Sequence, residues 1–294
     1  MEQQSAAQRV ACPLAGRTAL ITGGSRGLGL AIARAYVQAG ASVMLCAREH
    51  ALLVAAEREV SCHLLLGRRV FGVLTDVSKE QDVRTVVGIA LQQFGHIDIL
   101  VSNAGVYGPL GSTMDAEWDD WVHTLEVNLL GAVLLCRAVV PLMRLHGYGK
   151  VIQIAGGGIG GPPTPRMSAY TTSKAAVVHF TATLAAELHG TGIDVNALAS
   201  GVLDTRLLDD VLAPPPARVG RLFCERVVAE RARGATPMAN AVAFAVWLAS
   251  AASDGVTGRL FSAVYERVED VRPALAHVAC AGDLYTLRRM VPDR

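Results

Sequence analysis

Short runs of apolar residues, many of them β-branched, alternate along this chain with longer segments in which apolar residues recur every three to four positions. The short runs predict strands and the longer periodic segments predict helices. The predicted strands are TALIT (18–22), SVMLCA (42–47), RVFGVLTDV (69–77), IDILVSNAG (97–105), KVIQIA (150–155), IDVNALA (193–199) and GRLFSAV (258–264). The predicted helices cover residues 28–38, 51–61, 80–95, 118–145, 168–189 and 239–251.

Most of the predicted strands are continuous apolar runs, which indicates a sheet covered on both faces. Regular alternation of strand and helix indicates that the strands are parallel. We therefore predict a doubly wound α/β fold of about seven parallel strands with helices on both faces. No fixed-period repeat and no linker rich in Pro, Gly or Ser interrupts the chain, so we expect a single domain over residues 1–294.

Two segments depart from this alternation. Residues 203–236 contain three consecutive prolines, which a regular helix interior does not tolerate, and we expect this segment to form a lid over the substrate. The tail, residues 266–294, reads as helical, with a final turn near LYTLRRM (284–290).

Composition excludes several classes of function. The 294 residues are 51% hydrophobic and 18% charged, which suits a buried core rather than disorder. A net charge of +1 gives no reason to expect nucleic acid or an acidic partner, so a small-molecule or protein partner is favoured. The N-terminal residues lack a signal-peptide core, and no apolar run is long and uncharged enough to span a bilayer, so we expect a cytoplasmic protein without membrane contact.

The cysteines are scattered, with no Cys-x-x-Cys pair and no metal-ligand spacing. We expect reduced thiols at all six positions, which are Cys12, Cys46, Cys62, Cys136, Cys224 and Cys280.

A glycine-rich turn follows the first predicted strand and opens the first helix. It contains Gly23, Gly27 and Gly29. Such a turn lets a pyrophosphate approach the backbone and presents helix N-terminal N–H groups to it. In this position between strand and helix, the turn predicts dinucleotide binding.

The end of the second strand predicts which dinucleotide is bound. An acidic residue there bonds the ribose 2′-hydroxyl of NAD in many such folds, whereas this chain has Ala47 and Arg48. Arg26 in the glycine-rich turn is expected to join Arg48 around a 2′-phosphate. The alternative is that both arginines are merely solvated; we predict NADP(H) as the cofactor.

With its further motifs, the chain resembles the short-chain dehydrogenase/reductase family in its compact single-domain form, from about Gly16 to Gly258. The motifs that carry this resemblance are TGGSRGLG (22–29), TDV (75–77), SNAG (102–105), EVN (126–128) and YTTSK (170–174). The family is mostly oligomeric, so the resemblance implies a homo-oligomer, a dimer or a tetramer.

The resemblance also implies the roles of individual residues. Tyr170 would be the general acid/base, Lys174 would hold the nicotinamide ribose, and Asn128 would position a water in a proton relay. The backbone near Val202 and the hydroxyl of Thr205 would hold the carboxamide. The implied cofactor-binding set is Gly23, Ser25, Arg26, Gly27, Leu28, Gly29, Arg48, Asp76, Val77, Asn103, Ala104, Gly105, Tyr170, Lys174, Val202 and Thr205. No metal site is implied.

Tyr170 and Lys174 are four residues apart, so on a helix they share a face. A free tyrosine has a pKa near 10, and a nearby ammonium or an oxidised nicotinamide favours the phenolate. We therefore expect the pKa of Tyr170 to be lowered toward the working range.

One family feature is missing. The fifth strand of the family usually ends in a serine pair whose second hydroxyl bonds the reacting oxygen, but here Ala155 and Gly156, or Gly157, stand in that register. No Ser or Thr lies between Ile152 and Gly161. A water, a substrate group, Ser168 or Thr164 are the alternatives for this hydroxyl.

Two further departures concern the C-terminal half. The usual Pro-Gly is replaced by LASG (198–201), and the final strand continues into Tyr265, Glu266 and Arg267. These three residues either face the substrate and favour a polar or sugar-like ketone, or are solvated.

Three functions remain open on the sequence. The first is an NADP(H)-dependent carbonyl reductase or alcohol dehydrogenase. The second is a catalytically impaired cofactor-binding sensor or partner protein, for which the missing serine is the only support. The third is a nicotinamide-dependent epimerase or dehydratase.

Overall fold

A computed structural model describes residues 12–156, 159, 163–232, 238–277 and 284–287 of the chain. The strands are β1 (Thr18–Thr22), β2 (Ser42–Ala47), β3 (Val70–Leu74), β4 (Ile99–Ser102), β5 (Gly149–Ala155), β6 (Ile193–Ala199) and β7 (Leu260–Ser262). The helices are α1 (Gly27–Gln38), α2 (His50–Ser61), α3 (Glu80–Phe94), α4 (Trp118–His146), α5 (Ser168–Glu187), α6 (Arg206–Leu212), α7 (Pro216–Val219), α8 (Arg221–Ala232), α9 (Met238–Ala249) and α10 (Val268–His277).

The strands form one seven-stranded sheet in the order β3-β2-β1-β4-β5-β6-β7, and all its pairings are parallel. This confirms the predicted fold class. The order in which the strands are added to the sheet reverses between β1 and β4, which places a crevice at the carboxyl ends of the strands.

Two large apolar clusters cover the two faces of the sheet. One contains Ile32 and Tyr36 of α1 with Phe244 of α9, and the Tyr36 hydroxyl donates to the carbonyl of Ala245 over 2.9 Å. The other contains residues of α3 and α4, including Leu135 and Val139. Each fully buried aliphatic side chain stabilises the fold by about 1.5–3 kcal/mol relative to exposure.

Charged groups are buried at the amino end of the sheet. Lys150 is almost fully buried at the start of β5. Its Nζ lies 2.6 Å from Oδ2 of Asp194 and 2.7 Å from Oδ1 of Asp254. Arg17 lies 3.0 Å from Asp98 at the same end. These pairs are at the opposite end of the strands from the crevice, so their role is structural.

Helix α4 corrects one prediction from the sequence. By length and composition alone it is apolar enough to cross a membrane, whereas no such segment was expected. In the fold its inward face, from Val127 to Met143, packs into the second apolar cluster. Core packing therefore accounts for its apolar character.

The tail agrees with the prediction only in part. Helix α10 begins as expected, but residues 284–287 form a turn rather than a helical end. This turn docks on β7, where the N–H of Leu260 donates to the carbonyl of Tyr285 over 2.7 Å and the Tyr285 ring lies 5.3 Å from that of Phe261.

The five cysteines in the described ranges are free thiols, as predicted. Cys280 lies outside those ranges.

Candidate active site

A cavity of about 380 Å³ opens at the carboxyl ends of the strands. Its walls come from the loops after β1, β2, β3, β4 and β6, together with α5. Predicted site residues on its wall are Gly23, Ser25, Arg26, Gly27, Leu28, Arg48, Asp76, Val77, Asn103, Ala104, Gly105, Tyr170, Lys174 and Thr205. Three predicted residues, Gly29, Asn128 and Val202, are not on it.

The glycine-rich turn has no room for side chains on its inner surface. Gly23 has a φ of +62°, and a Cβ there would lie 2.8 Å from Nδ2 of Asn103. That amide donates to the carbonyls of Thr22 and Gly23 over 2.9 and 3.1 Å, which fixes the turn against the end of β4. A Cβ on Gly29 would collide with the carbonyl of Gly23. The turn is therefore packed tightly against the end of β4, and Gly23 and Gly27 line the cavity at the N-terminus of α1, where a pyrophosphate would lie.

The two predicted arginines are on the cavity wall, but a carboxylate is there too. Nη1 of Arg26 lies 3.1 Å from Oε1 of Glu49, which also lines the cavity. Burial acts to raise the pKa of Asp76, but hydrogen bonds from Ser78 and the charges of Arg48 and Lys79 outweigh it and lower that pKa. Strand β2 ends at Ala47 without an acidic residue, as read from the sequence, but Glu49 brings a carboxylate to the same wall from two residues beyond β2.

Tyr170 and Lys174 lie on one face of α5 and both reach the cavity, as predicted. Nζ of Lys174 donates to the carbonyl of Ile154 over 2.8 Å, and burial lowers its pKa to about 8. The pKa of Tyr170 is raised well above its ordinary value, first by burial and then by the neighbouring Tyr107. Its direction is opposite to the one expected, because burial disfavours the phenolate.

Tyr107 packs directly on Tyr170. The two ring centroids are 4.4 Å apart with an angle of 43° between the planes. Burial raises the pKa of Tyr107 to about 12, so its phenol is neutral at neutral pH. No motif marks this residue; its only signal in the sequence is its position two residues after Gly105.

Asn128 connects the loop after β4 to helix α5 through its side-chain amide. It lies in a π-helical turn of α4 (Glu126–Leu130), a feature frequent at functional sites. Its Oδ1 accepts from the N–H of Val106 over 2.8 Å, and its Nδ2 donates to the carbonyl of Val106 and to Oγ of Ser173, both over 2.9 Å. Oγ of Ser173 donates to the carbonyl of Tyr170 over 2.7 Å. This network joins the loop that carries Tyr107 to the helix that carries Tyr170.

Gly156 lies against Tyr170. A Cβ on Gly156 would be 2.7 Å from the Tyr170 hydroxyl oxygen and 3.0 Å from its ring. Gly157, the alternative position, lies outside the described residues.

The alternative hydroxyls are not on the described wall. Oγ of Ser168 accepts from Nε1 of Trp121 over 3.1 Å, and neither Ser168 nor Thr164 lines the cavity. Tyr265, Glu266 and Arg267 do not line it either, and Tyr265 is 88% exposed. This removes their support for a polar substrate.

Helices α6 to α8 lie in the segment that the sequence predicts to be a lid. Nε of Arg218 donates to the carbonyl of Leu110 over 3.0 Å, and Val211 and Val219 pack with Leu110 and Met167 in a separate apolar cluster. Asp204, on the cavity wall, lies 2.7 Å from Arg231 of α8. The lid thus rests on the loops that flank Tyr107 and Tyr170.

Comparison with known proteins agrees with this geometry. The sequence profile of the family described as short chain dehydrogenase matches residues 17–215. Dehydrogenase/reductase SDR family member 4 of Homo sapiens is 38% identical over 193 residues, which cover 66% of this chain and 68% of the relative. L-fucose dehydrogenase of Bos taurus is 33% identical over 241 residues, covering 81% of this chain and 85% of the relative.

Solved structures give the same result. Levodione reductase superposes with a TM-score of 0.76 at 27% identity, covering 85% of this chain and 96% of that structure. NAD⁺-bound xylitol dehydrogenase superposes with a TM-score of 0.74 at 29% identity, covering 85% and 98%.

Proposed function

Because the chain belongs to the short-chain dehydrogenase family, whose members use nicotinamide cofactors, we propose that it is an NADP(H)-dependent oxidoreductase. It reduces a ketone or oxidises the corresponding secondary alcohol. The observation that carries this proposal is the placement of Tyr170 and Lys174 in the same cavity that the glycine-rich turn opens.

The residues present fit a nicotinamide dinucleotide. Gly23, Gly27 and Leu28 line the cavity at the N-terminus of α1, and a Cβ on Gly23 would collide with the Asn103 amide that fixes the turn. Arg26 and Arg48 supply positive charge at the adenosine end, which supports NADP(H) over NAD(H). Lys174 is placed to donate to the ribose hydroxyls at the other end. When bound, such a cofactor supplies or accepts the hydride.

Tyr170 exchanges the proton with the substrate oxygen. Its burial keeps the phenol protonated, and a protonated phenol is the form that donates to a carbonyl oxygen during reduction. The ammonium of Lys174, one helical turn away, opposes this by favouring the phenolate. At neutral pH Tyr170 is thus in the form that donates to a carbonyl oxygen, and the direction of net turnover depends on the substrate and cofactor concentrations.

We propose that Gly156 occupies the position of the family's serine. Support comes from its place directly after β5 and from the Tyr170 phenol, which lies within 3.0 Å of the position that a Cβ on Gly156 would occupy. The loss of one hydrogen-bond donor to a reacting oxygen costs about 10²–10³ in rate, which leaves a working enzyme.

The carbon skeleton of the substrate is proposed to pack on Tyr107 and Leu203, which form apolar wall beside Tyr170. The named activities of two similar proteins, L-fucose dehydrogenase and xylitol dehydrogenase, support including hydroxylated ketones among the candidates.

The test is turnover of a panel of cyclic, aromatic and hydroxylated ketones with NADPH and, side by side, with NADH. We expect net NADPH consumption that Tyr170→Phe reduces by at least about 10²-fold while NADPH binding is retained. Turnover that survives Tyr170→Phe unchanged would exclude the proposed proton transfer. Binding of NADPH without consumption of any panel member would favour the impaired cofactor-binding protein instead.

We also propose a homo-oligomer in the cytoplasm. The support is the usual assembly of the family; the exposed Trp118, Leu130 and Leu145 of helix α4 lie on different sides of that helix and do not form one patch. Analytical ultracentrifugation tests this, and a monomer at micromolar concentration would contradict it.

A further inference from the structure

Arg26 and Glu49 face each other across the rim of the cavity. Arg26 directly precedes α1, and Glu49 directly precedes α2. Neither side chain caps its helix, and the two approach to 3.1 Å instead. Both lie on the cavity wall together with Arg48.

The pairing of β1 with β2 brings Arg26 and Glu49 together. Strands β1 and β2 are adjacent and parallel, with Thr22 opposite Cys46, so the loops that follow them leave the same edge side by side. The N–H of Gly24 donates to the carbonyl of Cys46 over 3.1 Å, which ties the glycine-rich turn to the end of β2. The pair therefore forms at the place where the adenosine ribose of a dinucleotide lies in this fold.

The pair is open to solvent and is easily exchanged. The side chains of Arg26 and Glu49 are 45% and 54% exposed, and exposed ion pairs contribute little to stability. A 2′-phosphate carries more negative charge than one carboxylate and offers more acceptor oxygens to a guanidinium. To bond Arg26, however, it must displace Glu49 or share Arg26 with a like charge.

We propose that Glu49 is a specificity-determining residue of the adenosine site, where it competes with the 2′-phosphate of NADP(H) for Arg26. It thereby weakens NADP(H) binding and leaves NAD(H) binding nearly unchanged. The preference for NADP(H) over NAD(H) that Arg26 and Arg48 create is therefore smaller. This inference rests on the proposed binding of a nicotinamide cofactor in the cavity, and it concerns the ratio of two affinities rather than turnover.

The chain contains a matched control. Arg34 of α1 and Glu59 of α2 form a second pair at 3.2 Å, with side chains 43% and 45% exposed. This pair joins the same two helices but is not on the cavity wall. Glu59→Gln thus removes the same charge and the same kind of pair without touching the site.

The experiment measures the dissociation constants of NADPH and NADH by calorimetry for the wild-type chain, Glu49→Gln and Glu59→Gln. We expect Glu49→Gln to tighten NADPH about tenfold with NADH changed less than about twofold, and Glu59→Gln to change neither. The gain should shrink at high ionic strength because both partners are exposed. An unchanged ratio of the two constants in Glu49→Gln, or a selective loss of NADH affinity, would overturn the proposal.

A double-mutant cycle with Arg26→Ala tests the route of the effect. If Glu49 acts through Arg26, Glu49→Gln should gain little NADPH affinity in the Arg26→Ala background. A full gain in that background would overturn the competition for Arg26. Failure of the proposed NADP(H) preference is a separate outcome. In that case the wild-type chain itself would bind NADH more tightly than NADPH.

Discussion

The hydroxyl oxygen of Tyr170 lies 2.7 Å from the point that a Cβ on Gly156 would occupy. Real side-chain carbons do not approach an oxygen that closely, so any residue other than glycine at position 156 must displace the phenol. The absence of a side chain at the end of β5 and the position of the proton donor are thus linked.

Gly156→Ala is expected to lower kcat by about 10²-fold or more, because a displacement of about 1 Å at a reacting group has an effect of that size. Gly156→Ser should not raise activity, because serine adds the hydroxyl together with a Cβ that would clash with Tyr170 in the same way. The control is Gly88→Ala on α3, where an added Cβ meets no atom within 4 Å. Steady-state kinetics with NADPH checks this, and a Gly156→Ser variant faster than wild type would contradict it.

Tyr107→Ala should shift the pH dependence of carbonyl reduction to lower pH. The ring of Tyr107 contributes to the burial that raises the pKa of Tyr170, so its removal lets that pKa fall. Reduction needs the protonated phenol and is lost as pH rises through this pKa, so the loss should begin at lower pH.

Tyr107→Phe is the matched variant for this shift, because it keeps the ring. The Tyr107 phenol, with a pKa raised to about 12, is neutral over the working range, so its removal should leave the profile in place. Profiles of kcat/KM against pH that coincide for all three proteins would show that the ring does not control the titration.

The titration of Lys174 should make the free energy of unfolding increase as the pH is raised. Burial lowers its pKa to about 8, below the value near 10.4 of an unfolded chain. Between these values the unfolded chain binds more protons than the folded one, so the free energy of unfolding rises with pH. Relative to Lys174→Met, wild type should gain about 2 kcal/mol from pH 8 to 10.

Denaturant unfolding of both proteins at several pH values measures this difference. If the free energy of unfolding changes with pH in the same way for wild type and Lys174→Met, the Lys174 ammonium is not desolvated in the folded state.

Asn128→Ala should reduce both stability and turnover. The change leaves the N–H and the carbonyl of Val106 without partners, which costs about 2–4 kcal/mol, and it releases the loop that carries Tyr107. The control is Asn240→Ala, which removes bonds to the carbonyls of Ala263 and Glu266, away from the cavity.

Thermal unfolding and kcat, measured together, separate the two effects. Asn240→Ala should lower Tm without lowering kcat at a temperature where the protein is folded. An Asn128→Ala variant that loses Tm but keeps full kcat would show that its network is structural only.

The sequence predicted the order of strands and helices because most strands are buried apolar runs, which are recognisable from the sequence of the strand alone. It also predicted that Tyr170 and Lys174 share one face of a helix, since they are related by a single helical turn, and both line the cavity. Two strands were predicted to end three residues too late, at residues 77 and 105. In the structure β3 ends at Leu74 and β4 at Ser102, and the polar residues that follow begin the cavity loops.

Glu49 and Tyr107 could not be predicted, because their roles depend on contacts between distant segments. Glu49 meets Arg26 only through the pairing of β1 with β2, and Tyr107 reaches Tyr170 only because Asn128 holds the preceding residue. The direction of the Tyr170 pKa was wrong for a similar reason, since helical spacing reveals the neighbouring ammonium but not the rings and backbone that exclude water.

The turn at residues 284–287 also bears on the solubility of the protein. An outermost strand such as β7 presents free backbone groups that can recruit strands of other molecules, a common route to aggregation. By accepting the N–H of Leu260, Tyr285 removes one of these groups and covers Phe261 with its ring. A chain shortened before Leu284 would keep its catalytic residues and yet tend to precipitate, so recoverable yield would fall before specific activity does.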